Sequence, residues 1–304
     1  MRVFITGGSG WIGSAVVPRL VGAGHDVVGL ARSDAAAATL EAAGARVVRG
    51  DIDDLDVLRA GAADSEGVIQ LAFRHDIAFQ QDGFARAAAS EGQSIDAIGD
   101  VLAGTDRPFV VASGTPAVPG RPSTESDESN LTGPAALRGA NAKATVALSA
   151  RGVRSSVVRL PRSVHGEGDH GFIARLIALA RETGVSGYVG DGSNRWPAVH
   201  VLDAADLFCL ALEKAAPGAV LHAVGDEGVA TREIAEVIGR HVNVPVASVP
   251  ADQLGFLGMV MAHDQPASSA ETRASLGWQP VRPGLIADME EGHYFVKPAQ
   301  PAGR

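Results

Sequence analysis

The sequence predicts a doubly wound α/β fold: a parallel sheet with helices on both faces, followed by a smaller C-terminal substrate lobe. Three observations carry this reading. Short apolar runs alternate with helical segments over the first 160 residues, and such alternation implies a parallel sheet covered on both sides. The runs are nearly continuous in apolar residues, as strands buried on both faces are. A glycine-rich turn, Thr6-Gly-Gly-Ser-Gly-Trp-Ile-Gly13, lies between the first strand and the first helix.

Taken in order, Val3-Phe-Ile is the first strand, and a helix follows from about Trp11 to Ala23. Asp26-Val-Val-Gly-Leu-Ala is the second strand, Ala35 to Ala43 an alanine-rich helix, and Ala45-Arg-Val-Val-Arg-Gly the third strand. Gly67-Val-Ile-Gln-Leu-Ala and Phe109-Val-Val-Ala-Ser are the fourth and fifth strands, with a long helix from Gly83 to Leu102 between them. Pro134 to about Arg151 is helical, and Ser155-Ser-Val-Val-Arg-Leu is a sixth strand. Right-handed crossovers leave the doubly wound arrangement as the topology. Beyond Leu160 the pattern loosens, with helices expected at Asp203 to Ala215 and Thr231 to His241 and an irregular, partly helical stretch from Pro250 to Ala270. The expected organisation is a nucleotide-binding core over 1–160, a substrate lobe integrated with it over 161–296, and a mobile tail over 297–304.

Composition narrows the function. At 46% hydrophobic and 20% charged residues, the chain is globular, not disordered. A net charge of -9 argues against nucleic acid as a partner, which calls for a basic face. No apolar stretch reaches bilayer length and the short N-terminal strand is no signal peptide, so a cytoplasmic protein with no membrane partner is expected. The single cysteine, Cys209, sits in an apolar helical run. It forms no intrachain disulfide, reads as buried filler, and lacks companions for a metal site.

The glycines have mechanical reasons. Gly7 permits the tight turn, Gly10 lets a pyrophosphate approach the backbone, and Gly13 allows close packing of helix and strand. N–H groups at the helix start then face the phosphates. Thr6, Ser9, Trp11 and Ile12 complete the expected cradle. The second strand ends in Arg32-Ser33-Asp34. An acid at this place binds the ribose 2′-OH of NAD, whereas Arg32 and Ser33 suit the 2′-phosphate of NADP. This favours NADP(H) over NAD(H), with Asp34 as the counter-argument if the register shifts by one.

With Gly50-Asp51-Ile52-Asp53 and Leu71-Ala72-Phe73 added to the glycine turn, the chain resembles the extended short-chain dehydrogenase/reductase superfamily of Rossmann-type, epimerase/dehydratase-like enzymes. Arg159-Leu-Pro-Arg-Ser-Val-His-Gly and the segment from Gly190 to Asp203 extend the resemblance, which covers roughly residues 1 to 290. It implies that Asp51, with Ile52, contacts the adenine and that Leu71, Ala72 and Phe73 pass beneath the ribose and pyrophosphate. It implies also that the loop carrying Pro161 lies beside the nicotinamide.

The superfamily's Tyr-x-x-x-Lys pair is missing. The two tyrosines, Tyr188 and Tyr294, are followed four residues on by Gly192 and Pro298. The resemblance extends to an atypical subgroup with His-x-x-x-Arg, of which Pro134-x-x-x-Arg138 keeps only the arginine; Lys143 is its rival. Ser113, at the end of the fifth strand, resembles the family's active-site serine. An arginine stabilises an alkoxide without giving up a proton, so His165 is the expected acid and His170 its competitor. No metal is expected. The resulting expectation is an NADP-dependent oxidoreductase acting on a small carbonyl or alcohol, as a monomer or homodimer. A non-catalytic NADP(H) sensor and an NAD-dependent nucleotide-sugar epimerase or dehydratase are the alternatives. Plainer roles are expected for Asp203 as a helix cap and for Trp196 and Trp278 as packing. His200 and His222 are expected to be structural. Arg195 either binds an anion or pairs with a carboxylate, and Arg74-His75-Asp76 faces the ligand side of the sheet.

Overall fold

A computed structural model describes residues 1–78, 80, 82–128 and 132–296; the expected tail over 297–304 lies outside them. The first half runs β1 (Arg2–Thr6), α1 (Gly13–Gly22), β2 (Asp26–Ala31), α2 (Asp34–Ala42), β3 (Arg46–Arg49), α3 (Leu55–Ala63) and β4 (Gly67–Gln70). A single turn α4 (His75–Ala78), the long α5 (Gly83–Leu102), β5 (Pro108–Gly114), α6 (Pro134–Ala147) and β6 (Arg154–Leu160) follow. The second half continues with β7 (Ser163–His165), α7 (Phe172–Thr183), β8 (Ser186–Tyr188), β9 (Arg195–His200), α8 (Val201–Lys214) and β10 (Ala219–His222). It ends with β11 (Asp226–Ala230), α9 (Thr231–Val242), β12 (Val246–Ser248), α10 (Gly255–Met261), α11 (Ala270–Leu276) and α12 (Leu285–Glu290).

Seven strands form the central sheet in the order β10-β6-β5-β4-β1-β2-β3, every neighbouring pair parallel. The expected parallel, doubly wound sheet is therefore present. It gains a seventh strand, β10, that the sequence reading did not include: after residue 160 the chain returns to the sheet and pairs Val220 with Val157. One apolar layer joins α1 and α8 to one face, with Val16, Leu20, Phe208 and Leu212 fully buried. A second joins α3 and α5 to the other face around Phe4, Leu58, Ile98 and Phe109. The lobe has its own core, built on Ile173, Ile177, Trp196, Ile234 and Met289.

Two of the helices that escaped the sequence pattern did so for plain physical reasons. Helix α3 contains Gly61, which weakens a helical signal. A Cβ there would lie 2.7 Å from the Phe4 ring, so the sheet core requires the glycine. Helix α7 is apolar on one side but starts after Gly171, within a run of glycines and acids that reads as loop. The expected cap at Asp203 is also corrected. His200 caps α8 by accepting from the Leu202 N–H at 3.1 Å. Asp203, buried within the first turn, instead accepts from the Val281 and Arg282 N–H groups and from the Arg282 guanidinium.

The strand order turns back between β1 and β4: β2 and β3 lie to one side of β1, and β4 to β6 to the other. Open α/β sheets hold ligands at such a switch, outside the carboxyl ends of the strands.

Candidate active site

At that switch the glycine turn meets the end of β4. Gly7 adopts φ +71°, a left-handed conformation that favours glycine. A Cβ on it would sit 2.6 Å from the Ala72 nitrogen. Gly13 opens α1, and a Cβ there would lie 2.2 Å from the Gly7 carbonyl oxygen, so the turn closes only on hydrogen atoms. At Gly10 a Cβ would meet only the Gly7 oxygen, at 3.3 Å, within 4 Å. Its outer side is thus open to a phosphate, and the residues fit a dinucleotide cradle.

A single cavity of about 1780 Å³ runs from this turn into the lobe. Small-molecule sites are roughly 300–1,000 Å³, so there is room for a dinucleotide and a second molecule. Its walls include Gly7, Ser9, Gly10, Trp11, Ile12 and Gly13, then Arg32, Asp51, Ile52, Leu71, Ala72, Phe73 and Pro161, and also Ser113 and Arg138. Three expected site residues are placed elsewhere. Thr6 is fully buried in β1, where its Oγ1 accepts from the Ala72 N–H at 3.4 Å, so it supports the floor from behind. Ser33 is exposed outside the cavity lining, and its Oγ caps α2 by accepting from the Ala36 N–H at 3.2 Å. His165 is the third. It is fully buried, and its Nδ1 lies 2.8 Å from Asp288 Oδ2 in the lobe. The expected acid is therefore locked inside the second half of the chain and does not meet the cavity.

At the end of the cavity beside β2 and β3, Arg74 pairs with Asp51, Asp53 and Asp76, and Arg32 also reaches Asp76, at 3.0 Å. The hydrogen bond from Arg74, helped by Arg32, holds the Asp76 carboxyl down to about 2. Asp34 points away, its carboxylate fully exposed and paired with Arg49. No acid of the Arg32-Ser33-Asp34 end therefore lines the cavity.

At the other end, Arg138 stacks over Phe73 with its guanidinium carbon 4.2 Å from the ring centroid. Its Nε donates to Glu91 Oε1 at 3.2 Å. Glu91 is buried on α5, and burial pushes its carboxyl up against the opposing pull of Arg138 and Asn141. Lys143 lines the cavity too, but is exposed and bound to Glu128 at 2.6 Å. Ser113 is nearly buried at the end of β5, and its hydroxyl makes no hydrogen bond with the described residues. His75 faces the same cavity, and burial, with Arg138 adding to it, pushes its imidazole below the ordinary range.

His170, the competitor of His165, does line the cavity, with its ring edge-on to Trp11 at 5.9 Å. Phe172 and Arg175 from α7, Phe256 and Val260 from α10, and Arg162 and Gln265 complete this end. Sequence reasoning missed the lobe residues because α7 starts within glycine-rich chain and α10 is only seven residues long. Neither tyrosine is on the wall. Tyr294 donates to Asp169 at 2.8 Å, and burial pushes its phenol well above the usual range. Tyr188 packs in the lobe core. Arg195 takes its plainer role, paired with Asp264 at 2.8 Å, and Trp196 and Trp278 are buried packing residues. Burial pushes the Cys209 thiol up to about 12, which leaves it unreactive at neutral pH.

The sequence matches the model of the NAD dependent epimerase/dehydratase family over residues 3–224. The chain belongs to that family. An uncharacterized protein of Schizosaccharomyces pombe is 43% identical over 97% of this chain and 100% of its own length. A UDP-glucose 4-epimerase of Streptomyces lividans is 28% identical over 96% of each. A 2-alkyl-3-oxoalkanoate reductase of Stenotrophomonas maltophilia is 29% identical over 72% of this chain and 67% of the relative. Among solved structures, the dTDP-glucose 4,6-dehydratase DesIV of Streptomyces venezuelae superimposes with a TM-score of 0.79 at 20% identity. That match covers 97% of this chain and 96% of the other. The fold is thus that of the extended short-chain dehydrogenases, and family and neighbours are enzymes. Among the described residues, no helix is long and apolar enough to cross a membrane.

Proposed function

We propose that the protein is an NADP(H)-dependent oxidoreductase that interconverts a small carbonyl compound and its alcohol. The observation that carries this reading is the end of β2: Arg32 lines the cavity while Asp34 is turned out to Arg49. A guanidinium at this position attracts a 2′-phosphate, and the carboxylate beside it, Asp76, is taken up in ion pairs with Arg32 and Arg74. The glycine turn, Asp51, Ile52 and Leu71 to Phe73 hold the nucleotide, with Pro161 beside the ring. When bound, the nicotinamide supplies or accepts the hydride.

The chain's own residues handle charge and proton. Ser113 donates a hydrogen bond to the substrate oxygen. Arg138, held by Glu91 and Phe73, stabilises the negative charge that grows there, as a fixed cation in a low-dielectric site does. His170 delivers the proton in reduction and removes it in oxidation, in place of the missing tyrosine. The relative that reduces a 2-alkyl-3-oxoalkanoate supports carbonyl chemistry on this family's scaffold. The epimerase and dehydratase relatives support a second reading, nucleotide-sugar chemistry with NAD. Against it stand Arg32 and a cavity without tyrosine.

The test is titration of purified protein with NADPH and NADH, with Arg32→Ala alongside. The first reading expects tighter NADPH binding and a loss of roughly ten- to a hundredfold in the variant, the worth of one charge-assisted hydrogen bond. Tighter NADH binding unaffected by the substitution would establish the second.

A further inference from the structure

Each basic group on the cavity wall that the preceding description paired has an acidic partner: Arg32 and Arg74 with Asp76, Arg138 with Glu91, and Lys143 with Glu128. Arg162 is different. It sits on the loop between β6 and β7, on the cavity wall. One terminal nitrogen, Nη2, donates to the Gln265 side-chain oxygen. Gln265 is itself nearly buried and tied down by its own amide, which donates to the Thr115 carbonyl at 2.6 Å. The Arg162 Nε is buried and has no hydrogen-bond partner. Its Nη1 makes none with the described residues either. No carboxylate among the described residues neutralises it, and burial alone pushes its guanidinium down to about 10.

A buried charge without a counter-ion costs several kcal/mol unless something else compensates it, and buried donors are normally satisfied. Here a neutral glutamine stands where an acid would cancel the charge. It orients the fork without occupying it. The lobe brings Phe172, Phe256 and Val260 to the same wall, beside His170 and Arg175.

We propose that Arg162, oriented by Gln265, anchors a carboxylate carried by the substrate, which turns an apolar face to Phe172, Phe256 and Val260. A guanidinium matches a carboxylate in charge and in planar geometry. This assigns the substrate class of the oxidoreductase proposed above, and in its wording as substrate it rests on that reading.

The anchor is tested by binding, without turnover. Benzoate, benzamide and phenyl phosphate are titrated into the full-length protein, with and without NADP, by calorimetry or ligand-observed NMR. Wild type, Arg162→Gln and Arg162→Lys are compared. Wild type is expected to bind benzoate about tenfold or more tighter than benzamide. The ratio falls towards one in Arg162→Gln and recovers in part in Arg162→Lys. Ligand-free Arg162→Gln is expected to unfold at a temperature no lower than wild type, because an uncompensated charge has been removed. Equal affinity for benzoate and benzamide, an unchanged ratio in Arg162→Gln or preference for phenyl phosphate overturns the proposal. So does a large loss of stability in Arg162→Gln, which would make the residue a structural one, or a variant that loses NADPH binding instead of benzoate binding. A carbonyl panel that gives no NADPH oxidation would sink the oxidoreductase reading while leaving these binding results intact.

Discussion

Two histidines five residues apart meet opposite fates. His170 stands on the cavity wall against Trp11, whereas His165 is buried against Asp288. Spacing alone could not separate them, because both follow β6 within glycine-rich chain; what separates them is the lobe helix α12, which brings Asp288 to one and not the other. The consequence is a clean dissociation of effects. His170→Gln is expected to lower kcat by roughly 10²- to 10⁴-fold, the range for a positioned acid or base, with the thermal midpoint unchanged. His165→Gln is expected to cost about 1–3 kcal/mol of folding stability by leaving Asp288 short of a buried partner, with kcat far less affected. Steady-state kinetics and urea unfolding on the two variants decide it. The glycine positions, by contrast, were legible from sequence because their reason is local: Gly7 and Gly13 each face backbone of the same turn or of the adjoining strand end.

Helix α6 carries Arg138 to the cavity, but α5 fixes it there. Glu91 holds Arg138, and Asn141 of α6 donates to both Glu91 and the Ala88 carbonyl, each within 2.9 Å. The sequence reading of the long helix has the same bounds as the structure. Its buried glutamate was not, because an acid on the apolar side of a helix looks like noise until its partner on another helix is known. Removing one member of a mostly buried ion pair strands the other. Glu91→Ala is therefore expected to cost about 3 kcal/mol, measured by urea unfolding, and to loosen Arg138 enough to reduce carbonyl turnover. Glu91→Gln, which keeps one acceptor oxygen but loses the charge and the second acceptor, is expected to fall between wild type and Glu91→Ala. The short lobe strands were invisible for a related reason. β7, β8 and β12 are three residues each, and only their partners in space define them.

Across the whole molecule, the core and the lobe are knit by polar contacts that sequence separation hides. His222, at the end of the seventh sheet strand, shows how one such contact responds to pH. Its Nδ1 meets the Ser268 carbonyl oxygen at 2.8 Å, and its Nε2 faces the Arg159 guanidinium. Burial first, with Arg159 adding to it, pushes the imidazole from its ordinary 6.5 to about 4, although Glu125 and Asp127 pull the other way. The folded protein thus keeps His222 neutral where the unfolded chain would protonate it. The unfolded state binds the extra proton as pH falls through that window, so stability is lost there, by up to about 1.4 kcal/mol per pH unit. His222→Gln is expected to flatten this part of the stability curve, measured as the urea midpoint against pH; a curve of unchanged slope would show that His222 protonates freely in the folded state.

One contact spans both halves of the molecule. The Trp11 indole N–H donates to the Val164 carbonyl at 2.8 Å, which stitches the glycine turn to β7. Of the three tryptophans in the chain, Trp11 lines the cavity while Trp196 and Trp278 are sealed in their cores. The protein therefore carries its own optical reporter. Reduced dinucleotide seated beside Trp11 is expected to quench the indole emission by energy transfer to the dihydronicotinamide. In Trp11→Phe that quenching should shrink to the small contribution of the two sealed rings, even when calorimetry shows the nucleotide still bound.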